Sequence, residues 1–149
     1  MYTIIASPLG PIRIEAQNGA IEQVLFTDEE LMPTEDKLLL EAQKQLQEYF
    51  DGERKEFDLP LRMQGTPFQL AAWRVLQGIP YGETITYGEE AERMGNRKVA
   101  RAAGGANHQN RLSILVPCHR VVAATGMGGY GWGTEKKKFL LEMEEKNSK

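Results

Sequence analysis

What most constrains this chain is a stretch with no periodicity at all. Residues 51 to 67 mix charges with Gly52, Pro60, Gly65 and Pro67, and neither a helical nor a strand pattern runs through them. Such a linker divides the 149 residues near position 60 into two small lobes, 1–60 and 61–149, and excludes a second large domain. The two sides of the linker read differently.

Before the linker, residues 2 to 7, 11 to 16 and 20 to 26 are short β-rich runs, separated by Pro8-Leu9-Gly10 and by Asn18-Gly19, a strong hairpin signal. A three-stranded antiparallel meander is predicted. Leu38, Leu39, Ala42, Leu46 and Tyr49 then recur at helical spacing over 35–50, with Thr34 as the expected N-cap, giving a helix that covers the sheet. No set of catalytic side chains is visible here, so this lobe reads as scaffold.

After the linker the signals are helical. Thr66 and Pro67 open a helix carrying Phe68, Ala72, Val75 and Leu76, which ends at Ile79-Pro80-Tyr81-Gly82. Thr86 with Glu89 forms a capping box for a second helix that runs to Met94 and stops at Gly95, and Asn96 caps a third over residues 97–105. The last two are spaced like a helix-turn-helix, a spacing that helical hairpins without a nucleic-acid ligand share. In the third helix, Ala100, Ala102, Ala103, Gly104, Gly105 and Ala106 surround Arg101. Glycine costs roughly 1 kcal/mol relative to alanine inside a helix, so a slim helix needs a reason, either tight packing on a neighbouring helix or entry into a groove. Residues 126–133 interleave five glycines with Met127, Tyr130 and Trp132; lacking a Gly-Lys-Ser/Thr ending, they suit a pocket wall better than a phosphate cradle. A closing helix over 136–145 turns Phe139, Leu140 and Met143 inward and its lysines to solvent. The expected fold is α+β, with a small N-terminal lobe of antiparallel sheet plus helix and a mostly helical C-terminal lobe.

Net charge is −3, but it is unevenly spread. Residues 1–61 carry 5 Lys/Arg and 13 Asp/Glu, whereas residues 62–138 carry 11 and 5. From Asn96 to Arg120 there are five arginines and lysines and no acid, which suits a surface facing a polyanion. No apolar run approaches the roughly 20 residues that span a bilayer, and the N-terminus lacks the basic and apolar regions of a signal peptide, so an intracellular, cytoplasmic protein is expected. One cysteine and two histidines, His108 and His119, make a closed metal site improbable; no metal and no cofactor are expected.

The single cysteine, Cys118, follows an apolar run over 112–116 and a proline, and is followed by His119 and Arg120. A lone cysteine beside apolar residues is most often a small buried hydrophobe. Here an imidazole and a guanidinium adjoin it, and a thiol reacts as thiolate when a base or positive charge is near, so it also reads as a nucleophile.

The blocks Gly65-Thr66-Pro67-Phe68-Gln69, Ile79-Pro80-Tyr81-Gly82-Glu83-Thr84, Thr86-Tyr87-Gly88, Arg101-Ala102-Ala103-Gly104-Gly105-Ala106, Asn110 and Pro117-Cys118-His119-Arg120 stand in an order that resembles the O6-alkylguanine-DNA alkyltransferases. The resemblance covers residues 65 to 144. It implies a monomer that binds double-stranded DNA, flips an O6-alkylguanine from the helix and moves the alkyl group, mainly methyl, irreversibly to Cys118, with O4-alkylthymine as a minor substrate. It implies that His119 deprotonates Cys118 through a water, that Glu144, with Glu142 and Glu145 as alternatives, orients His119, that Tyr87 donates a proton towards the leaving guanine, and that Asn110 organises the turn. Arg101 would fill the gap left by the flipped base, on a helix placed in the minor groove with Ala100 and Gly104. Backbone groups at Cys118, Val121 and Gly131 would read the guanine edges, and Tyr130 and Trp132 would wall the pocket, Trp132 on its alkyl side. Some members of that family hold zinc in the N-terminal lobe, yet residues 1–61 contain no cysteine or histidine. Two other readings are a non-transferring binder of alkylguanine, whose signature has tryptophan in place of the cysteine, and a cysteine hydrolase, which would need an oxyanion hole.

Overall fold

A computed structural model describes all 149 residues, which form two compact units: Met1–Gln64 with Arg111–Ser113, and Gly65–Asn110 with Ile114–Lys149. In the first, β1 (Tyr2–Ile5), β2 (Ile12–Gln17) and β3 (Ala20–Phe26) form an antiparallel meander. The hairpin between β2 and β3 turns at Asn18 and Gly19, both at positive φ (51° and 79°), the backbone twist that a two-residue hairpin loop requires. Ile12, Ile14, Ile21 and Val24 are buried together with Leu39, Ala42, Leu46 and Tyr49 of α1 (Lys37–Phe50), so one helix covers one sheet face.

The N-cap of α1 is Asp36, two residues beyond the expected Thr34. The Asp36 carboxylate accepts from Leu39 N at 3.0 Å, while Thr34 Oγ1 accepts from Asp36 N and so closes the turn before the helix. Two further segments run parallel to β3. Ile21 N donates to Pro60 O and Arg62 N to Ile21 O; Val24 N donates to Arg111 O and Ser113 N to Val24 O. Part of the expected linker is therefore pinned to the sheet. In the apolar run 112–116 only Leu112 bridges to the sheet, and the rest is turn and bend.

The second unit is built from short capped helices. In α2 (Pro67–Gln77), Thr66 and Gln69 exchange side-chain-to-backbone hydrogen bonds in a complete capping box; Thr86 and Glu89 do the same for α3 (Tyr87–Arg93). Gly95 (φ 103°) reverses the chain after α3, and Asn96 caps a 3₁₀ turn (Arg97–Val99) that continues into α4 (Ala100–His108). Trp73 Nε1 of α2 donates to Ala106 O at 2.9 Å in the buried contact with α4. A parallel pair invisible in the sequence then joins β4 (Ile85–Thr86) to β5 (Val121–Val122). Closing the unit, α5 (Thr134–Asn147) buries Lys137, Leu140 and Glu144. Phe139 stays 37% exposed, against the expectation that it points inward, and Lys137 is fully buried, against the expectation that the lysines face solvent.

Because a threonine N-cap contributes about 1 kcal/mol, Thr86→Ala should lower the urea-unfolding free energy by that amount. An unchanged unfolding midpoint would mean that packing, and not the capping box, holds the start of α3.

Candidate functional site

Cys118 opens a 3₁₀ turn (Cys118–Arg120) whose backbone is tied down on both sides. Cys118 N donates to Val116 O at 2.9 Å and Arg120 N to Pro117 O at 3.0 Å, while Asn110 Nδ2 donates to the same Val116 carbonyl at 2.8 Å. Upstream, Ile114 has φ 72°, a left-handed conformation that costs a β-branched residue on the order of 1–3 kcal/mol and persists only when its surroundings enforce it. The β4–β5 pairing follows directly, aligning Ile85 with Val121 and Thr86 with Val122. Two residues of parallel ladder thus bring the start of α3, and with it Tyr87, alongside the cysteine turn.

Behind Cys118 the side chains of His119 and Arg120 are buried and both meet Glu144, one helical face of α5 away from solvent. His119 Nε2 lies 2.7 Å from Glu144 Oε2; Arg120 donates from Nε to Oε1 (2.8 Å) and from Nη2 to Oε2 (3.1 Å), and from Nη1 to Ile79 O (2.8 Å). Burial alone would raise the Glu144 pKa, but the hydrogen bonds and charges of His119 and Arg120 outweigh it and leave the carboxyl at about 2. An ionised carboxylate only accepts, so His119 carries its proton on Nε2. Burial outweighs the hydrogen bond and charge of Glu144 and, with the charges of Arg120 and Lys137, holds the imidazole below its usual value, so it is neutral at pH 7 with a lone pair on Nδ1. That nitrogen is buried and has no protein partner. A neutral base with an oriented tautomer thus follows the cysteine directly in the chain.

The thiol is itself pushed up by burial, while a hydrogen bond from Asn110 and the charge of Lys137 pull it down. Lys137 Nζ donates to Val121 O (2.6 Å) and Gly129 O (2.9 Å) and lies 5.8 Å from the centre of the Tyr87 ring. Its burial lowers its own pKa to about 8, so it remains largely cationic at neutral pH. Cys118 is partly exposed, in a pocket lined by Tyr87, Gly104, His108, Gly129, Tyr130 and Gly131, with Asn107 beside them. Gly128 (φ 76°) lies under the Tyr87 ring, where a Cβ would come within 3.0 Å of the phenol oxygen. Burial raises the Tyr87 pKa and raises that of Tyr130 much further, so both phenols keep their protons.

Of the residues expected from sequence, Cys118, His119, Glu144, Asn110, Tyr87, Tyr130, Gly131 and Gly104 come together. Val121 adjoins them, with its carbonyl taken up by Lys137. Ala100 and Arg101 stand on α4 outside the pocket lining, Arg101 exposed, and Trp132 is half-buried without lining the pocket. Lys137, Asn107, His108 and the Glu144-binding role of Arg120 were not foreseen. For Lys137 a signal existed: it lies seven residues before Glu144, two turns away on the same helix face. No cluster of three or more His, Cys, Asp or Glu is placed to hold a metal ion, and no helix is long and apolar enough to cross a membrane.

Two family models match the chain: "6-O-methylguanine DNA methyltransferase, ribonuclease-like domain" over residues 1–63 and "6-O-methylguanine DNA methyltransferase, DNA binding domain" over residues 67–146. A methylated-DNA–protein-cysteine methyltransferase of Methanosarcina acetivorans is 42% identical over 96% of this chain and 97% of its own length. The constitutive methylated-DNA–protein-cysteine methyltransferase of Bacillus subtilis is 44% identical over 96% of this chain and 94% of its own. A crystal structure of Mycobacterium tuberculosis OGT in complex with DNA superposes with a TM-score of 0.89 at 41% identity, covering 98% of this chain and 93% of that one.

The carboxyl of Glu144 is held far below 4.5, so the stability it contributes is complete above pH 4.5 and is lost as pH falls towards about 2. That interval corresponds to roughly 3 kcal/mol. Glu144→Gln should therefore be markedly less stable than the parent at pH 7, with the difference shrinking as denaturation is followed from pH 5 down to pH 2. A difference that does not change with pH would show that the glutamate is not the ionised partner of Arg120 and His119.

Proposed function

Because this chain belongs to the 6-O-methylguanine DNA methyltransferase family and repairs alkylated DNA as a methyltransferase, we propose that it takes the alkyl group from O6 of guanine in double-stranded DNA and keeps it on Cys118 in a single turnover. The observation that carries this reading is a partly exposed thiol in a pocket, followed in the chain by a buried neutral imidazole that is itself held by an ionised carboxylate. This is the nucleophile, base and orienter arrangement of activated nucleophiles.

The thiol is protonated at rest, so the reaction begins with its deprotonation. His119 accepts the proton at Nδ1 by way of a water, and Glu144 stabilises the imidazolium. The thiolate attacks the alkyl carbon in line; the S–C bond forms as the C–O6 bond breaks, and that bond's electron pair leaves with guanine. Tyr87 gives its phenolic proton to the departing base, and the imidazolium proton returns through solvent to the phenolate. The net change is an alkyl group moved from oxygen to sulfur and a proton moved from sulfur to guanine. The thioether has no further leaving group to exchange, which makes the protein a stoichiometric reagent.

A base stacked in a duplex cannot reach Cys118, so the nucleotide is flipped out, at a cost on the order of a few kcal/mol. Arg101, exposed on α4 among small residues, fills the gap it leaves. The exposed Arg97 and Lys98 supply phosphate contacts that weaken with salt.

Mixing the protein with an oligonucleotide bearing one O6-methylguanine should add the mass of one methylene to the peptide containing Cys118, one equivalent per protein. Cys118→Ala should lose all transfer while retaining DNA binding; continued loss of alkyl from the DNA would exclude Cys118 as acceptor. Arg101→Ala should slow repair of duplex DNA by at least about tenfold and leave reaction with a free alkylated base unchanged, as a cost of one to several kcal/mol in flipping implies. Equal slowing on both substrates would argue against a role in base extrusion.

A further inference from the structure

Beneath the Cys118 pocket α3 and α4 are joined by two buried side chains that the reaction scheme does not use. Glu90 is fully buried and Asn107 nearly so, and Asn107 Nδ2 donates to Glu90 Oε1 at 2.8 Å. The other oxygen of each, Glu90 Oε2 and Asn107 Oδ1, is buried without a partner. Both are acceptors if the carboxyl is ionised, and neither can satisfy the other. A single proton on Oε2 changes this. A carboxylic acid and a primary amide close a ring of two hydrogen bonds, N–H to one carboxyl oxygen and O–H to the amide oxygen, which leaves no orphaned atom.

Nor is there a cation to hold a carboxylate here. Among the elements packed on α3, α2 carries Arg74, the 3₁₀ turn carries Arg97 and Lys98, and α4 carries Arg101 and His108, all exposed; β4 and β5 carry no charge. On α3 itself Glu89, Glu92 and Arg93 are exposed. The titratable groups that its charge reaches are Tyr87 and Cys118, and it raises the pKa of both. Asn107 lies at the pocket.

We propose that Glu90 is a protonated acid in the folded protein, paired with Asn107 through two hydrogen bonds, and acts as a positioning residue that ties α3 to α4 under the pocket while keeping negative charge away from the Cys118 sulfur. Burial, partly offset by the Asn107 hydrogen bond, places its pKa at about 7, in accord with the geometry. Since the folded value lies above the unfolded 4.5, the stability from this pair is complete below pH 4.5 and is lost as pH rises to about 7. The consequence for reactivity rests on the reading of Cys118 as nucleophile; the protonation of Glu90 does not.

Glu90→Gln tests this, because a glutamine accepts at Oε1 and donates from Nε2 just as the acid does but cannot ionise. Parent and variant should melt together near pH 4.5 and separate progressively to pH 7.5, the variant then being higher by at least about 3 °C. The ¹³C carboxyl resonance of Glu90 in the parent should titrate near neutrality. At pH 8 the variant's Cys118 should react with iodoacetamide at least about threefold faster than the parent's, as relief from one nearby negative charge implies. A melting difference that is the same at every pH, or a Glu90 resonance already ionised at pH 5.5, would overturn the proposal, and the parent's titration decides alone if the variant folds poorly. None of these measurements uses DNA, so their failure leaves the repair reading standing, and a failure of alkyl transfer leaves them standing.

Discussion

The surroundings of the cysteine turn depend on one buried carboxylate. Glu144 accepts from the guanidinium of Arg120 at two points and lies 2.7 Å from Nε2 of His119. Taking a glutamate and an arginine out of water costs several kcal/mol for each ion, and only near-complete hydrogen bonding offsets that. The remaining Arg120 donor reaches Ile79 O, just past the end of α2. Three pieces of chain, the end of α2, the cysteine turn and α5, are thus held by a single charge, and none can shift without leaving an ion unpaired. Removing one partner is costly because it leaves the other buried and uncompensated, although the intact pair gains little over apolar residues of the same shape; what the pair does is set one geometry and penalise the alternatives, and so fix which nitrogen the imidazole presents.

With Arg120 neutralised by Glu144, the charge left beside the sulfur is Lys137. Its ammonium is held by Val121 O and Gly129 O, one carbonyl just after the cysteine turn and one in the glycine-rich loop, so a single side chain fixes both edges of the pocket and supplies the positive potential. A lysine in this setting is a compromise: burial draws its pKa to about 8, close enough to neutrality that further desolvation would discharge it. Any ionised carboxylate nearby would work against it at the sulfur. The only buried carboxyl besides Glu144 is Glu90, whose lone hydrogen-bond partner is an uncharged amide.

Features decided by local chemistry were readable from the residues. Thr66 caps its helix with Pro67 at the first helical position, Thr86 with Glu89 forms a capping box, and Asn18-Gly19 turns the hairpin, because each depends on atoms within three or four residues. Features decided at a distance were not. Reading α5 by apolar spacing put Phe139 inward and the lysines outward, yet its buried face is Lys137, Leu140 and Glu144, since that face meets backbone carbonyls and a histidine-arginine pair. The β4–β5 ladder is two residues long and carries no pattern, and the attachment of residues 111–113 to β3 is fixed by pairing across almost ninety positions of sequence. In the cysteine turn the identity of the cysteine and its neighbours was legible from their order, and Asn110 and Glu144 from the resemblance; Lys137, Glu90 and Asn107 were not, because lysine, glutamate and asparagine on short helices usually face water.

The small residues of α4 divide into two kinds once their surroundings are known. Ala103 and Ala106 are buried, the latter against Trp73, and tight packing explains them. Gly104 is different: a Cβ there would meet the Tyr87 ring at 3.6 Å, an ordinary contact, and at Gly105 it would meet nothing within 4 Å. Packing inside the protein therefore does not demand glycine at Gly105, although glycine weakens the helix by roughly 1 kcal/mol relative to alanine. Arg101, Gly105 and His108 follow one another at four- and three-residue spacing and are all exposed, which gives one outward stripe with a long cation, a bare backbone and an imidazole at the rim of the Cys118 pocket. A helix made thin on its solvent side, against its own stability, is shaped for something that approaches its backbone from outside, and the basic residues that flank it fit the phosphates of a nucleic acid.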